Sequence, residues 1–329
     1  MTRRIVATVV VAGAFLWSSA GAEARPLIHV VAPQAITGQG AIGLYVPGAG
    51  GRASRAGAIA SLRRGTVENT ALGGKPRGKI LVDLAFAVPT TPLQPGVYVT
   101  LPPPGQHPNT KRYQVLIVGP GYSGILTSRS TRVRGLVSIA DLAPTAVALA
   151  EGRSPPIHSE PDRNARAHLR ALDARLARVH HDRGWVLVAV VLTMLLLIAV
   201  APRSAPLAGA AAVTASLLLS WGDATRFALV LVAMVVLTVA LAVAASLRRT
   251  LVPWIVAAFF AAFTVVLAVD PQLNSLGVFG ARPDGGGRFY GIGNQLETLL
   301  LPPVLVAAAI AGLRGLLPLA ALALVTIGW

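Results

Sequence analysis

The sequence predicts an exported α/β domain followed by an all-α bundle of transmembrane helices. Residues 1–183 hold 22 lysines and arginines against 9 acidic residues, whereas residues 184–329 hold only 7 against 4. Hydrophobic residues make up 54% of the chain and charged residues 13%, about half of the charged share usual in a soluble domain. The mean hydropathy of +0.64 is too high for a water-soluble globule of this length.

The first 24 residues have the three parts of a secretory signal peptide. A basic segment at residues 2–4 precedes an apolar run at residues 5–17, and Ala22 and Ala24 give the small-residue pattern of a cleavage site. An uncleaved N-terminal anchor is the alternative, and either outcome exports the next segment of the chain.

Residues 25–162 are predicted to form the exported α/β domain, because short runs rich in β-branched residues occur together with helical patterns. The predicted strands are Leu27–Val31, Ile42–Val46, Ile80–Val88, Val97–Leu101 and Tyr113–Val118. The predicted helices are Ser54–Arg64 and Asp141–Ala150. Gly48–Gly51 is expected to be a turn. We expect the Asp141 carboxylate to cap the second helix and Pro144 to lie in its first turn.

Two segments near the end of this domain carry a family resemblance. Val115–Gly121 is a strand pattern ending in Gly-Pro-Gly, and Asp141–Thr145 follows with the helix pattern Asp-x-x-Pro-Thr. This pair resembles the C-terminal part of the alkaline phosphatase/sulfatase superfamily, which implies a fold for the domain. The metal-binding and nucleophilic residues of that family do not accompany it, since the first strand runs into Ala32–Gln34 without an aspartate.

We therefore expect no metal and no cofactor in this protein. The six histidines lack the spacing of a known ligand set. The chain has no cysteine, which excludes disulfides, thiolate zinc sites and cysteine nucleophiles. A pI near 11.6 suggests nucleic acid as a partner, but the positive charge is concentrated in the segment predicted to be exported, so we expect no nucleic-acid partner.

Residues 163–183 are predicted to form an Arg-rich amphipathic helix at the membrane surface. Leucine and valine recur at spacings of 3, 4 and 3 and give one apolar seam: Leu169, Leu172, Leu176 and Val179. Four arginines occupy the rest of the helix surface: Arg166, Arg170, Arg175 and Arg178. These arginines are expected to meet anionic lipid headgroups. The alternative, equally supported by the sequence, is a solvated connector that packs on its own domain.

Residues 184–329 divide into six apolar stretches that predict five to six membrane spans: 184–202, 205–221, 227–246, 251–269, 291–312 and 315–329. A span needs about 20 residues, so the second is long enough only in a thin bilayer. The sixth contains 15 residues before the sequence stops, and we expect the chain to be a piece of a longer membrane protein.

The loops between these stretches predict the orientation. The predicted inner loops are basic and contain Arg203, Arg248, Arg249 and Arg314, whereas the predicted outer loops contain Asp223, Arg226, Asp270, Arg282, Asp284 and Arg288. Following the positive-inside rule, residues 25–183 are expected to be extracytoplasmic and the protein to lie in the cell membrane. The whole layout, including the segment Arg288–Asn294, resembles multi-pass membrane proteins of high-GC Gram-positive bacteria.

The segment most suggestive of a site lies where the glycine-rich outer loop enters the fifth predicted span. Its candidate binding residues are Arg288, Tyr290, Asn294, Gln295 and Glu297, and Glu297 is the candidate catalytic residue. Asn294 and Glu297 share a helix face. A carboxylate inside a span is costly unless it is paired, protonated or hydrated, which points to a functional role. The alternative is that these polar groups only hold helices together.

Three classes of function are compatible with these observations. The first is a multi-pass protein of the cell envelope whose exported domain binds or scaffolds a partner without catalysis. The second is a membrane enzyme that acts on a lipid-linked or anionic substrate at the outer face. The third is a transporter, for which Pro302 and Pro303 give the broken helix that such proteins use.

Overall fold

The computed structural model describes residues 27–33, 40–70, 81–86, 93–201, 204–205, 207–222, 226–247, 250–285, 289–291, 293–294, 296–305, 307 and 309. The predicted signal peptide and the sixth predicted span lie outside these ranges. The same is true of the predicted inner-loop arginines Arg203, Arg248, Arg249 and Arg314.

The chain forms an α/β domain followed by apolar helices, which confirms the predicted order of the two parts. The strands are β1 (Leu27–Val30), β2 (Ala41–Val46), β3 (Arg52–Ser54), β4 (Asp83–Phe86), β5 (Gly96–Val99), β6 (Gln106–Pro108), β7 (Tyr113–Val118), β8 (Gly124–Ser128), β9 (Leu136–Ser138) and β10 (Ile157–Glu160), and the domain's first two helices are α1 (Arg55–Arg64) and α2 (Ile139–Ala150). All five predicted strands are present, β4 in shortened form. Strands β3, β6, β8, β9 and β10 were not predicted.

The main sheet has the order β10-β8-β2-β7-β5-β1-β4, with β9 also paired to β2. Strand β7 is antiparallel to both of its neighbours and β10 is antiparallel to β8, while the other pairs are parallel. Strands β1, β2, β4, β5, β8 and β9 therefore end at the same side of the sheet, here called the carboxyl edge. Ligands of open α/β sheets bind outside this edge.

Helices cover both faces of the sheet. On one face α1 and α2 bury Leu62 and Leu142 against the strands. On the other face lies the first part of the long helix α3 (Ala165–Val200). Gly135 permits this close approach, because a Cβ atom there would lie 2.8 Å from Leu169 Cδ2 and 3.0 Å from Leu172 Cδ2. The domain is thus a three-layer sandwich whose third layer is supplied by α3.

Helix α2 starts earlier than predicted, and the prediction that Asp141 caps it is wrong. Ser138 occupies the cap position, and its Oγ accepts a hydrogen bond from the Ala140 amide. Asp141 is the third helical residue and accepts a hydrogen bond from Ser130 Oγ at 3.0 Å. Pro144 consequently lies in the second turn rather than the first.

Helix α3 is one continuous helix of 36 residues, about 54 Å long. It covers both the predicted Arg-rich helix and the first predicted span. Its buried residues recur at spacings of 4 and 3 along almost its whole length: Ala165, Leu169, Leu172, Leu176, Val179, Arg183, Val186 and Val190. The seam from Ala165 to Leu176 packs on the sheet, as the connector alternative predicted, whereas Val186 and Val190 pack in the helical bundle.

The bundle contains α4 (Leu207–Trp221), α5 (Phe227–Leu247), α6 (Leu251–Val269), the short α7 (Pro271–Ser275) and α8 (Leu296–Leu305). Within the described ranges three helices, α3, α5 and α6, are long and apolar enough to cross a membrane, so the predicted five to six spans are not confirmed. Helix α4 is shorter and largely buried. A Cβ at Gly209 of α4 would lie 2.4 Å from the Leu299 carbonyl oxygen of α8, as in small-residue packing of membrane helices.

Candidate functional site

The structure places three of the five predicted binding residues, and it does not gather them in one cavity. Tyr290 is half-buried, and the Arg132 guanidinium lies 4.2 Å from the centre of its ring, a cation–π contact. Asn294 and Glu297 are both exposed. Arg288 and Gln295 lie outside the described residues.

Glu297 shares its helix face with apolar residues. Leu301 and Leu305 follow it at intervals of four residues and are exposed, so the three side chains lie on one outward stripe of α8. The carboxylate is at the end of α8 that adjoins the α/β domain. A carboxylate beside lipid-facing leucines is costly unless it reaches the interface or a partner, and the sequence-based hypothesis for Glu297 therefore stays a prediction.

The segment between α6 and α8, here called the junction loop (described over residues 270–285 and 289–291), packs against the α/β domain through Leu276, Phe289 and Tyr290. Arg183 of α3 is only 5% exposed and fixes this loop. Its Nε donates to the Val278 carbonyl at 2.8 Å, and its Nη2 lies 3.5 Å from the carbonyls of Gly280 and Ala281. Because these carbonyls have no helical partner, the buried guanidinium satisfies acceptors that would otherwise be costly.

Two polar side chains, one from α4 and one from α7 within the loop, also form hydrogen bonds to the backbone of the junction loop. Ser216 Oγ accepts a hydrogen bond from the Val278 amide at 3.0 Å, and Asn274 Nδ2 donates to the Gly291 carbonyl at 2.9 Å. A Cβ at Gly280 would lie 1.6 Å from the Asn274 carbonyl oxygen, so only glycine fits there. The junction loop is thus built to one conformation over these residues.

His180 and Asp284 connect α3 with the loop a turn before Arg183. His180 Nδ1 is 2.9 Å from Asp284 Oδ2, and the Asp284 side chain is buried while that of His180 remains partly exposed. Asp284 also interacts electrostatically with Arg183. One buried carboxylate therefore orients an imidazole ring and balances a buried guanidinium.

A cavity of about 600 Å³ lies between the α/β domain and the junction loop, and we call it the junction cavity. Its lining comes from three parts of the chain: Gly50 and Gly51 after β2, Pro108 to Thr110 at the end of β6, and His180 of α3 with Arg282 and Gly285 of the junction loop. The glycine turn follows the end of β2, so the cavity adjoins the carboxyl edge of the sheet. Its size is within the range of small-ligand sites.

Asn109 shapes the domain side of this cavity. Its Nδ2 donates to the Gly50 carbonyl at 2.6 Å and so holds the glycine turn. The residue is 4% exposed, and its Oδ1 has no hydrogen-bond partner among the described residues. An unpaired buried acceptor in a folded protein calls for a structural or functional reason.

The position of the junction cavity relative to the bilayer is indicated by α3. Trp185 is the first large apolar side chain of this helix to be exposed, at 63%, and Val188, Val191 and Leu192 continue the exposed apolar surface. His180 precedes Trp185 by five residues, or about 7.5 Å along the axis. Tryptophan concentrates at the membrane–water interface, and the exposed apolar surface of α3 begins at Trp185, about one and a half turns after His180.

The parts of the chain that the structure describes contain no group of three or more His, Asp or Glu residues able to hold a metal ion. Asp141, the aspartate of the family-like helix pattern, contacts Ser130 instead. Burial raises the pKa of its carboxyl group. The carboxyl edge therefore shows a candidate binding cavity rather than a metal centre over these residues.

Sequence reasoning missed the residues that build this cavity. Arg183 had a detectable signal, because it continues the apolar seam of α3 at the expected spacing of four after Val179, and a charged residue on such a seam is unusual. Asp284 and Arg282 were noted only as loop charges. Asn109 and His180 had no local signal, because tertiary packing alone brings them together.

No protein-family model, no curated protein and no solved structure matches this chain. Arguments about function therefore rest on the geometry of the chain itself.

Proposed function

We propose that the protein is a multi-pass protein of the cell membrane whose exported domain binds the anionic head of a lipid or lipid-linked molecule without converting it. The observation that carries this proposal is the junction cavity, which is lined by Arg282 and His180 and lies about 7.5 Å along α3 from Trp185, where the exposed apolar surface begins. A ligand held there has its polar head against the α/β domain and its acyl chains along the apolar surface below Trp185.

The lining favours an anion. Arg282 is exposed to the cavity and always charged, and His180 adds a second cation when it is protonated. Gly50, Gly51 and Gly285 let the backbone approach a bound group closely. Asp284, the nearest carboxylate, is hydrogen-bonded to His180 and buried, so it repels an incoming anion less than an exposed carboxylate would.

The Arg-rich surface of α3 contributes to membrane binding only near its end. Arg178 precedes Trp185 by about 10 Å along the axis, whereas Arg166 precedes it by about 28 Å. The headgroup layer is about 5–8 Å thick on each side of the bilayer. Of the four arginines only Arg178 lies close to this layer, and we expect it to be the one that meets anionic headgroups. Arg175 donates to Ser220 Oγ at 2.7 Å instead, and Arg170 and Arg166 lie along a cavity beside the sheet.

The proposal requires residues 25–183 to be extracytoplasmic. Because the chain has no cysteine, single substitutions report the side directly. With a membrane-impermeant maleimide on intact cells, we expect Gln106→Cys to be labelled and Arg248→Cys to be protected until the cells are opened. Labelling of Arg248→Cys together with protection of Gln106→Cys would reverse the orientation and remove the proposal.

Lipid retention tests the binding itself. The purified chain is reconstituted in nanodiscs of phosphatidylcholine with one tenth phosphatidylglycerol, re-extracted in mild detergent and measured by native mass spectrometry. We expect phosphatidylglycerol to be enriched, and Arg282→Ala to reduce the enrichment about tenfold, the effect of losing a charge-assisted contact. The matched control is Arg129→Ala, an exposed arginine outside the cavity. Equal retention in both variants contradicts a site at the cavity.

A hydrolytic role is the second candidate, favoured by the pairing of His180 with Asp284. A buried carboxylate that fixes an imidazole beside a cavity is the arrangement of a general base. In this role His180 takes a proton from a water molecule that attacks the phosphorus of the bound head, and Arg282 stabilises the developing negative charge. The phosphorus–oxygen bond to the lipid alcohol then breaks, and the leaving alkoxide takes the proton back from His180. Head release from the reconstituted lipid over hours, lost in His180→Gln but kept in His181→Gln, would establish it over simple binding.

A further inference from the structure

We propose that Asn109 makes the junction cavity selective for anionic heads that carry a hydroxyl group, such as a glycerol, inositol or sugar phosphodiester. This inference rests on the proposed binding function and adds the chemical class of the ligand. Two observations carry it: Asn109 lines the cavity, and its Oδ1 is buried without a hydrogen-bond partner among the described residues.

The geometry fixes which atom of the amide is unpaired. Nδ2 donates to the Gly50 carbonyl at 2.6 Å, and a carbonyl accepts only from a donor, so the amide cannot be flipped. The unpaired atom is therefore the acceptor Oδ1. A bare phosphate ester has no hydrogen to offer it, since a phosphodiester is fully ionised near neutral pH. A hydroxyl group on the head is the donor that Oδ1 lacks.

The cations and the amide have separate roles in this arrangement. Arg282 attracts any anionic head, whichever group is esterified to the phosphate. Asn109 distinguishes heads of equal charge, because a site with an unpaired buried acceptor disfavours an analogue that cannot donate to it. Because Oδ1 has almost no exposed area in the ligand-free protein, the proposal requires the cavity wall at Asn109 to yield on binding while Nδ2 keeps its hydrogen bond to the Gly50 carbonyl.

Two lipids of equal charge separate these roles. Phosphatidylglycerol carries two hydroxyl groups on its head, whereas phosphatidylmethanol carries none and has the same single negative charge. The full chain is placed in phosphatidylcholine nanodiscs that contain both lipids in equal amounts, and the retained lipids are counted by native mass spectrometry. We expect at least about fivefold preference for phosphatidylglycerol, the effect of one additional hydrogen bond.

The variants identify the residue responsible. Asn109→Ala should bring the preference close to one while retention of total anionic lipid stays above that of phosphatidylcholine. Thr110→Ala, at the neighbouring position of the same wall, should keep the preference. Arg282→Ala should lower retention of both anionic lipids together and leave their ratio unchanged. Thermal unfolding of each variant shows whether the fold is intact.

Each outcome has one meaning. If the native chain retains both anionic lipids equally, selectivity through Asn109 is refuted and the binding proposal survives. If neither is retained above phosphatidylcholine, the binding proposal itself fails. If Asn109→Ala unfolds, the smaller change Asn109→Ser takes its place in the same comparison and is judged in the same way. A preference that persists in a folded Asn109→Ala protein assigns the hydroxyl contact to another residue and overturns the inference.

Discussion

The two halves of helix α3 lie in different surroundings although they form one unbroken rod. From Ala165 to Leu176 the helix buries one seam against the sheet and presents charged residues elsewhere. From Trp185 onward the seam continues at Val186 and Val190, but the rest of the surface is exposed and apolar. The same 3–4 spacing therefore packs against a sheet in one half and against helices in the other.

In α3, the spacing of the buried residues identifies the face that packs against protein, and the composition of the remaining surface indicates whether water or lipid surrounds it. In the first half the face opposite the seam is charged, the composition of a surface in water, and in the second it is apolar, the composition of a helix able to cross a membrane. Arg183 occupies the seam position where the change happens. It is the one charged residue among the eight buried positions of α3, and it binds the junction loop rather than solvent.

Two leucines on this helix test the comparison most strongly. Leu172 is 5% exposed on the sheet, whereas Leu192 is 60% exposed in the apolar half. Leu172→Ala should lower the free energy of unfolding by about 3 kcal/mol, because it leaves a cavity between helix and sheet. Leu192→Ala should change it little, since lipid fills the space. Thermal unfolding in one detergent measures both, and equal losses would show that the second half is also packed against protein.

Arg183 tests the point of transition. Arg183→Met removes the hydrogen bonds to the Val278, Gly280 and Ala281 carbonyls and leaves Asp284 buried beside His180 alone, so we expect a loss of about 2–3 kcal/mol and a disordered junction cavity. Arg178→Ala, an exposed residue on the same helix, is the control. Hydrogen exchange over the junction loop should rise only in the first variant; unchanged exchange would show that another contact holds the loop.

A pair of glycines tests the bundle in the same way. Gly209→Ala should cost about 2 kcal/mol, because the new Cβ meets the Leu299 carbonyl at 2.4 Å and pushes α4 from α8. A Cβ atom at Gly184 would have no heavy atom within 4 Å among those considered. Gly184→Ala should therefore stabilise α3 by up to about 1 kcal/mol through helix propensity. If this packing is correct, thermal unfolding of the two variants should show a lower free energy of unfolding for Gly209→Ala and a higher one for Gly184→Ala. Destabilisation by Gly184→Ala would mean that this face is covered.

Much of this fold is encoded in local patterns of the sequence. The apolar strands, the two domain helices and the long apolar stretches were predictable because each is a periodic run of adequate length. Strands β3, β6 and β9 were not predicted because each has only three residues, too few for a periodic signal. The start of α2 was misplaced because Ser138 and Asp141 are both good capping residues, and only the pairing of β9 selects the first.

The candidate site was less predictable than the fold. Its residues come from a turn after β2, the segment after β6, the middle of α3 and the junction loop, and no sequence spacing relates these parts. The polar residues around Glu297 predicted a site in a neighbouring segment, whereas the cavity is lined by Arg282 and Gly285. Asn294, just before α8, and Glu297, on it, are both exposed, so polar residues in an apolar stretch indicate an unusual environment without locating the site.

The smallest predicted effect is a pH dependence of stability that arises from Asp141 in the α/β domain. Burial raises the pKa of the Asp141 carboxyl group, and hydrogen bonds from Ser130 and Ser128 offset this only in part. The folded state therefore holds the proton more tightly than the unfolded state, so stability falls as the pH rises from the ordinary value near 3.9 through the folded-state pKa, and stays lowered above it. Asp141→Asn removes this titration and should stabilise the protein by about 1 kcal/mol at neutral pH.

The test compares the free energies of unfolding of the native protein and Asp141→Asn at each pH, because the contributions of the other titrating groups are the same in both proteins. Unfolding of the full chain in detergent is followed at several values from about pH 4 to about pH 7, and the advantage of the variant should grow with pH and then level off. Glu151→Gln, at an exposed carboxylate paired with Arg153 on the surface, should give almost no change, since such pairs contribute little. An advantage of Asp141→Asn that is constant or shrinks toward neutral pH would show that the carboxylate is stabilised in the folded domain, and that water reaches this side of the sheet.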